Sequence, residues 1–195
     1  MPKKSNAILS CSVDGTVRAF DLVKYKNFRT FKPNESTQLT CLAIEANGDI
    51  VCAGSREPFN VYIWSIKTSQ LIDILSGHTA PISSLSFSPT SGILATSSWD
   101  KTVRTWDIFG KNGLVDTFTH PSEVIQASIH PNSNDVIATT LGGQVYVWDS
   151  EQSSVKGVID CHSDIKGGRL RDDRNTANNS TKNKYFNSIC LSPSG

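Results

Sequence analysis

Apolar and polar residues alternate along most of this chain in short runs that are closed by turn residues. The clearest stretch is Gly77 to Asp107. It opens with Gly77-His78, alternates through Ile82, Leu85 and Phe87, and turns at Ser88-Pro89-Thr90-Ser91-Gly92. Ile93 to Ser98 and Thr102 to Trp106 are rich in β-branched and aromatic residues and are separated by Trp99-Asp100-Lys101, a spacing that predicts a β-hairpin. His78, Asp100, Trp106 and one of Thr96 or Ser98 are polar groups that a sheet would partly bury, and such groups need partners. A histidine between an aspartate and a hydroxyl, with the hydroxyl also receiving the indole N–H, satisfies them together. The same residue types can suggest a hydrolytic triad. A nucleophile must sit exposed in a pocket beside its base, however, so no catalytic residue is assigned.

The pattern recurs. Shifting the Gly77–Asp107 unit forward by 42 residues lays His78 on His120, Pro89 on Pro131, Ser91 on Ser133, Val103 on Val145 and Trp106-Asp107 on Trp148-Asp149. A further step places His162 in the same position, which accounts for Cys161-His162 better than a metal does. Backwards by 86, Asp14, Thr16-Val17-Arg18 and Phe20-Asp21 match Asp100, Thr102-Val103-Arg104 and Trp106-Asp107. Between these lies a divergent repeat with strands at Leu39 to Ile44, Ile50 to Ser55 and Asn60 to Trp64. It has Ser65 in place of Asp, an extra residue around Arg56-Glu57-Pro58 and no Gly-His, so its polar network should be incomplete and this repeat the softest. The fourth repeat has Gly142-Gly143 where the third has Asp100-Lys101. After a strand near Ser154 to Ile159 the alternation stops, and it resumes at Phe186 to Leu191, with Ser192-Pro193 matching Ser88-Pro89. Pro131 to Pro193 spans 62 residues, one repeat of 42 plus an insertion of 20.

The Gly-His opening, the Asp turn and the Trp-Asp close resemble WD40 repeats, each of which is one four-stranded blade of a β-propeller. The resemblance implies an all-β fold over residues 1–195, with repeats ending at Asp21, Ser65, Asp107 and Asp149 and about four blades present. It also implies a structural, blade-stiffening role for His78, Thr96 or Ser98, Asp100 and Trp106. Phe186 to Leu191 complements Ile8 to Phe20, so a closed ring of four is conceivable. WD40 propellers typically have about seven blades, which favours a segment of a larger propeller.

Bulk chemistry narrows the function classes. With 19 basic and 18 acidic side chains and a formal charge of +1, the chain has no strong overall field of the kind general nucleic-acid binders carry. No apolar run reaches membrane-spanning length, and Ala7-Ile8-Leu9 is too short for a signal peptide. Cys11, Cys41, Cys52, Cys161 and Cys190 lack any C-x-x-C pair and read as reduced thiols; no metal site and no cofactor is expected. Charge concentrates in the insertion at 162–185. There Lys166, Arg169, Arg171, Arg174, Lys182 and Lys184 outnumber Asp164, Asp172 and Asp173, and no aromatic side chain lies among them. These bases are candidate contacts to RNA phosphates or to an acidic partner, although base stacking is not provided for. Trp99, in the turn of the hairpin, is a candidate anchor for a protein partner.

A second resemblance is more specific. Ala53-Gly54-Ser55 with Phe59-Asn60-Val61-Tyr62-Ile63-Trp64-Ser65, Ser98 to Arg104, and above all the interrupted repeat from His162 to Arg169 with Lys184-Tyr185-Phe186 and Ser192-Pro193-Ser194-Gly195, are similar to the periodic tryptophan protein family. That resemblance implies a nucleolar, non-enzymatic scaffold in the small-subunit processome. Its partners would be other processome proteins, with pre-ribosomal RNA and a small nucleolar ribonucleoprotein reached indirectly, and with no membrane or small-molecule substrate. A WD40 scaffold of a vesicle coat or signalling complex, or direct RNA contact through the insertion, is the alternative.

Overall fold

The computed structural model describes residues 6–110, 113–133, 135–160 and 187–192. They form fifteen strands in four antiparallel meanders. Blade 1 contains β1 (Ala7–Cys11), β2 (Val17–Asp21) and β3 (Lys26–Phe31). Blade 2 contains β4 (Leu39–Ile44), β5 (Ile50–Ser55), β6 (Val61–Ser65) and β7 (Leu71–Leu75). Blade 3 contains β8 (Ile82–Phe87), β9 (Ile93–Ser98), β10 (Thr102–Asp107) and β11 (Gly113–Thr119), and blade 4 contains β12 (Val124–Ile129), β13 (Val136–Thr140), β14 (Gln144–Asp149) and β15 (Ser154–Asp160). Asp21, Ser65, Asp107 and Asp149 are the last residues of the third-position strands β2, β6, β10 and β14. Except at Phe186 to Leu191, where the described residues 187–192 form no strand, the expected strands are present, displaced at most by a residue, as at β6. The outermost strands β3, β7 and β11 went unread because their side chains are mostly exposed and their apolar periodicity is weak.

Consecutive blades stack face to face, and each seam is an apolar cluster. Val17, Ala19 and Phe31 of blade 1 meet Val51, Ala53, Tyr62 and Trp64 of blade 2. Val61, Ile63 and Leu75 of blade 2 meet Ile82, Leu94 and Trp106 of blade 3, and Val103 and Phe118 of blade 3 meet Val124, Val136 and Ala138 of blade 4. Two-sided covering explains why β5 is buried along its whole length and β6 everywhere except Ser65. Blade 2 lacks the polar network of blade 3, yet its aromatic packing is dense. Trp64 stacks on Tyr62 at 5.9 Å and meets Phe31 at 6.2 Å. Packing thus works against the softness expected of this repeat.

The innermost strands β4, β8 and β12 are neighbours and are joined by side-chain hydrogen bonds to backbone. Thr40 Oγ1 donates to the Ile82 carbonyl (2.8 Å), and Ser83 Oγ to the Val124 carbonyl (2.8 Å). The Ala127 N–H donates to Ser84 Oγ (2.9 Å), and the Ile129 N–H to Ser86 Oγ (3.3 Å). Ser97 of β9 backs this row, its Oγ lying 2.8 Å from that of Ser83 and 2.9 Å from that of Ser84. A register shift at the same place in β4, β8 and β12 turns Thr40, Ser83 and Ile125 out of the regular alternation.

Residues 187–192 continue this progression. They form no strand with β1; instead Gln126 of β12 grips Ile189, Oε1 accepting from its N–H (3.0 Å) and Nε2 donating to its carbonyl (2.9 Å). The segment thus lies beside blade 4, where the next inner strand belongs, and among the described residues β1 pairs only with β2. The ring of four is not the arrangement seen.

Ser84→Ala would leave the Ala127 N–H unpaired in a seam. The expected loss is about 1–3 kcal/mol, measured as a lower urea midpoint at constant slope.

Candidate interaction face

One edge of the propeller carries the turns between second and third strands together with the connections between blades. In blade 3 this edge is organised by the Asp100 turn. Asp100 Oδ1 accepts from the Thr102 N–H (2.9 Å) and hydroxyl (2.6 Å), and Oδ2 accepts from the Thr79 N–H (3.1 Å). Lys101 takes a left-handed φ of 68°, the conformation that Gly15 and Gly143 adopt at matching positions in blades 1 and 4.

His78 lies with Nδ1 2.7 Å from Asp100 Oδ2 and Nε2 2.7 Å from Thr96 Oγ1, and the Trp106 indole N–H donates to the same Thr96 oxygen at 3.0 Å. With the imidazole neutral, one assignment gives every group a partner: Trp106 donates to Thr96, Thr96 to His78 Nε2, and His78 Nδ1–H to Asp100. Burial alone would raise the Asp100 pKa. The hydrogen bonds from His78, Thr102 and Thr79 and the nearby imidazole outweigh it and hold the carboxyl well below the usual range. The structure thus brings together His78, Thr96, Asp100 and Trp106, and Thr96 supplies the hydroxyl. Ser98 does not join them; its Oγ donates to the Ala80 carbonyl (2.9 Å) and accepts from the Asp100 N–H (3.1 Å), fixing the turn from the other side. Thr96 and Trp106 are buried, so the chain of bonds has no open nucleophile.

Blade 4 shows what happens when the middle of the network is absent. Ala138 stands where Thr96 does, opposite Tyr146 as Thr96 is opposite Arg104, and Gly142 stands where Asp100 does. The Trp148 indole N–H then donates directly to His120 Nε2 (3.0 Å), and Tyr146 packs edge-on against the imidazole at 5.1 Å. His120 Nδ1 has no partner among the described residues. Burial pushes the His120 pKa down to about 4, with backbone groups of Lys101 and Phe118 opposing. In blade 2, Ala53 takes the Thr96 position and the Trp64 indole nitrogen is likewise unpartnered.

Trp99 is 57% exposed at the tip of the β9–β10 turn. It borders a groove of about 470 Å³ shared with Glu123, Ile125 and Leu141 of blade 4 and with Asn187. Trp99 is thus exposed and lies beside the neighbouring blade. Sequence reasoning missed that Val13 and Leu141, also exposed, hold the matching turn position in blades 1 and 4, a regularity visible once the repeats are aligned on Asp14, Asp100 and Gly142.

Lys166, Arg169, Arg171, Arg174, Lys182, Lys184 and the whole 162–185 insertion lie outside the described residues, as does Cys161. Cys11, Cys41, Cys52 and Cys190 are free thiols, and burial pushes Cys41 up to about 12 and raises Cys52 as well. Among the described residues no His, Cys, Asp and Glu side chains gather as a metal site would require, and no helix is long and apolar enough to cross a membrane.

Residues 69–107 match the family model for the WD domain, G-beta repeat. The chain is 45% identical over 174 residues to the periodic tryptophan protein 2 homolog of Schizosaccharomyces pombe, covering 89% of this chain and 20% of that protein. It is 42% identical over 191 residues to periodic tryptophan protein 2 of Arabidopsis thaliana, covering 98% and 21%. With the Saccharomyces cerevisiae protein it shares 45% over 174 residues, covering 89% and 19%. The chain spans about one fifth of the length of these curated relatives.

Thr96→Val removes the hydroxyl shared by His78 and Trp106 and should cost about 2–4 kcal/mol by chemical denaturation, whereas Thr96→Ser should retain most of the stability. His120 yields a pH signature. Its folded pKa lies below the ordinary histidine value, so the unfolded chain binds the extra proton first. The contribution of the neutral ring is complete above about pH 6.5 and is lost as pH falls toward about 4, by roughly 3 kcal/mol in all. Urea midpoints measured across that window should fall in the parent and fall less in His120→Phe.

Proposed function

We propose that this chain is a WD40-repeat protein that acts as a non-catalytic scaffold in ribosome biogenesis, within the nucleolar small-subunit processome. The repeat alone supports only an interaction scaffold, since the fold hosts many unrelated functions. The observation that carries the reading is the 42–45% identity to periodic tryptophan protein 2 from several organisms along 89–98% of the chain. The chemistry of the described residues agrees with a scaffold. His78, Thr96, Asp100 and Trp106 are occupied with holding a turn and a blade, while Val13, Trp99 and Leu141 stand exposed at the turn tips.

In this reading the work is presentation. Trp99, beside Ile125 and Leu141, offers a rigid aromatic anchor of the kind that dominates protein interfaces, and the stiff Asp100 turn beneath it limits the entropy lost on docking. Pre-ribosomal RNA and the small nucleolar ribonucleoprotein are reached through protein neighbours.

The test is affinity capture of the tagged full-length protein from its own cells under gentle salt, with mass spectrometry of the proteins and sequencing of the RNA. Co-purification of processome subunits and unprocessed pre-ribosomal RNA is expected. Recovery of coat or signalling subunits without that RNA would overturn the reading. Trp99→Ala should leave the denaturation midpoint within about 0.5 kcal/mol of the parent, as for an exposed side chain, while reducing recovery of at least one captured protein.

A further inference from the structure

Strand register makes the internal seams comparable position by position. Between blades 2 and 3, the end remote from the Trp99 turn is filled by Ile50, Ile63 and Leu94, with Phe87 and Ile108 packed against them. Between blades 3 and 4 the same positions are held by Ile93, Thr105, Val136, Ile129 and Ser150. Only Ile50 and Ile93 match. The other four changes, Ile to Thr, Leu to Val, Phe to Ile and Ile to Ser, each remove apolar volume, and a close-packed seam that loses so much relaxes only in part and keeps a cavity.

A pocket of about 170 Å³ opens at this place, with Ile93, Val115, Ile129 and Val136 as its apolar wall and Thr105, Asp116 and Ser150 among its polar lining. Apolar cavities of about 150 Å³ hold a benzene-sized group. Both blades that form the pocket are present, and Thr105, Ile129 and Val136 are 4%, 5% and 1% exposed, so it belongs to the seam itself. Its cause is clearest at Ser150. Ile66, Ile108 and Ser150 each stand two residues after a tryptophan, and both isoleucines pack against the cluster of the seam in front of their blade. Ser150 brings no such branch. The Thr105 hydroxyl is used internally, accepting from the Asp116 N–H at 3.1 Å. Asp116 Oδ1 accepts from Ser153 Oγ at 3.0 Å, and no basic side chain pairs with this carboxylate among the described residues.

We propose that this pocket is a docking site for a protein partner, which inserts one branched aliphatic side chain, Leu or Ile, and pairs a neighbouring Lys or Arg with Asp116. The occupant follows from the seams themselves. Where the chain supplies its own isoleucine, that side chain packs into the cluster; where it supplies serine, a side chain of the same shape is the group that restores the packing. Burial of the branch provides most of the affinity, and the half-buried Asp116 adds a partly screened charge that favours a cationic neighbour and fixes orientation. The pocket lies on the edge opposite Trp99, so both sites can be occupied together. The proposal rests on the packing of one seam and is independent of the processome reading.

The experiment selects short random peptides displayed on phage against immobilised full-length protein, with full-length Ser150→Ile protein in solution as competitor, and measures binding of the enriched peptides by fluorescence anisotropy. The enriched peptides should share a Leu or Ile beside a Lys or Arg. Ser150→Ile fills the pocket from within and should weaken them at least about tenfold, as should replacing their aliphatic residue by Ala. Val115 is 48% exposed, so Val115→Lys should keep the parent circular dichroism spectrum, and it should weaken the peptides by a similar factor through the mouth of the pocket. Asp116→Asn should cost about two- to fivefold, and only for peptides that carry the base. Trp99→Ala should leave binding unchanged. Failure to enrich any peptide under this competition, enriched peptides without the aliphatic residue, or peptides indifferent to Val115→Lys would each overturn the proposal.

Discussion

Everything in this molecule hangs on the junction between neighbouring inner strands. A blade is covered on both faces, and the inner-strand hydroxyls at its flank, partly buried there, are paired across the seam. Ser84 and Ser86 accept from the backbone of β12, Thr40 and Ser83 donate to carbonyls of the following blade, and Ser97 sits behind them. These bonds fix how far one blade slides on the next, which apolar packing alone leaves loosely determined. Where the bulge residue changes from a hydroxyl to Ile125 in blade 4, the amide of Gln126 takes over and grips Ile189 with both ends. The task persists while the residue performing it changes.

Trp64, Trp106 and Trp148, at equivalent positions of three blades, illustrate the same economy within a blade. In blade 3 the indole N–H feeds a chain of three polar partners ending at a carboxylate. In blade 4 the loss of the hydroxyl and of the terminal carboxylate leaves histidine in direct contact with Trp148. In blade 2 aromatic neighbours surround Trp64, and its N–H has no partner among the described residues. A shared backbone tolerates these variations because the strand pairing and the seams remain in place, and only the local balance between polar pairing and apolar contact shifts.

Much of this was legible beforehand. The 42-residue period located the central strands because apolar alternation and turn residues report directly on burial and backbone conformation. The polar network could be foreseen from the types of residue that need partners, although the choice between Thr96 and Ser98, which share one face of β9, depended on how far along the strand the indole and imidazole reach. The outer strands β3, β7 and β11 were hidden because exposed strands need little hydrophobic signal. The seam hydroxyls were hidden for another reason: a serine in a strand reads as surface until the neighbouring blade is known to lie against it. The course of residues 187–192 was likewise a matter of which edge they approach, and the Phe186-to-Leu191 pattern fits either edge equally well.

The seams also set the mechanics. The backbone-directed bonds between blades lie mainly along the inner strands, while at the rim the blades touch through side-chain tips, such as the Arg29 guanidinium on the Ile66 and Lys67 carbonyls and Ser153 on Asp116. The blades are therefore bound like pages to a spine. Torque applied at the outer margin is met by a few flexible side chains, whereas the same torque at the hub must break several short bonds together, so elastic compliance is greatest at the rim and least at the axis.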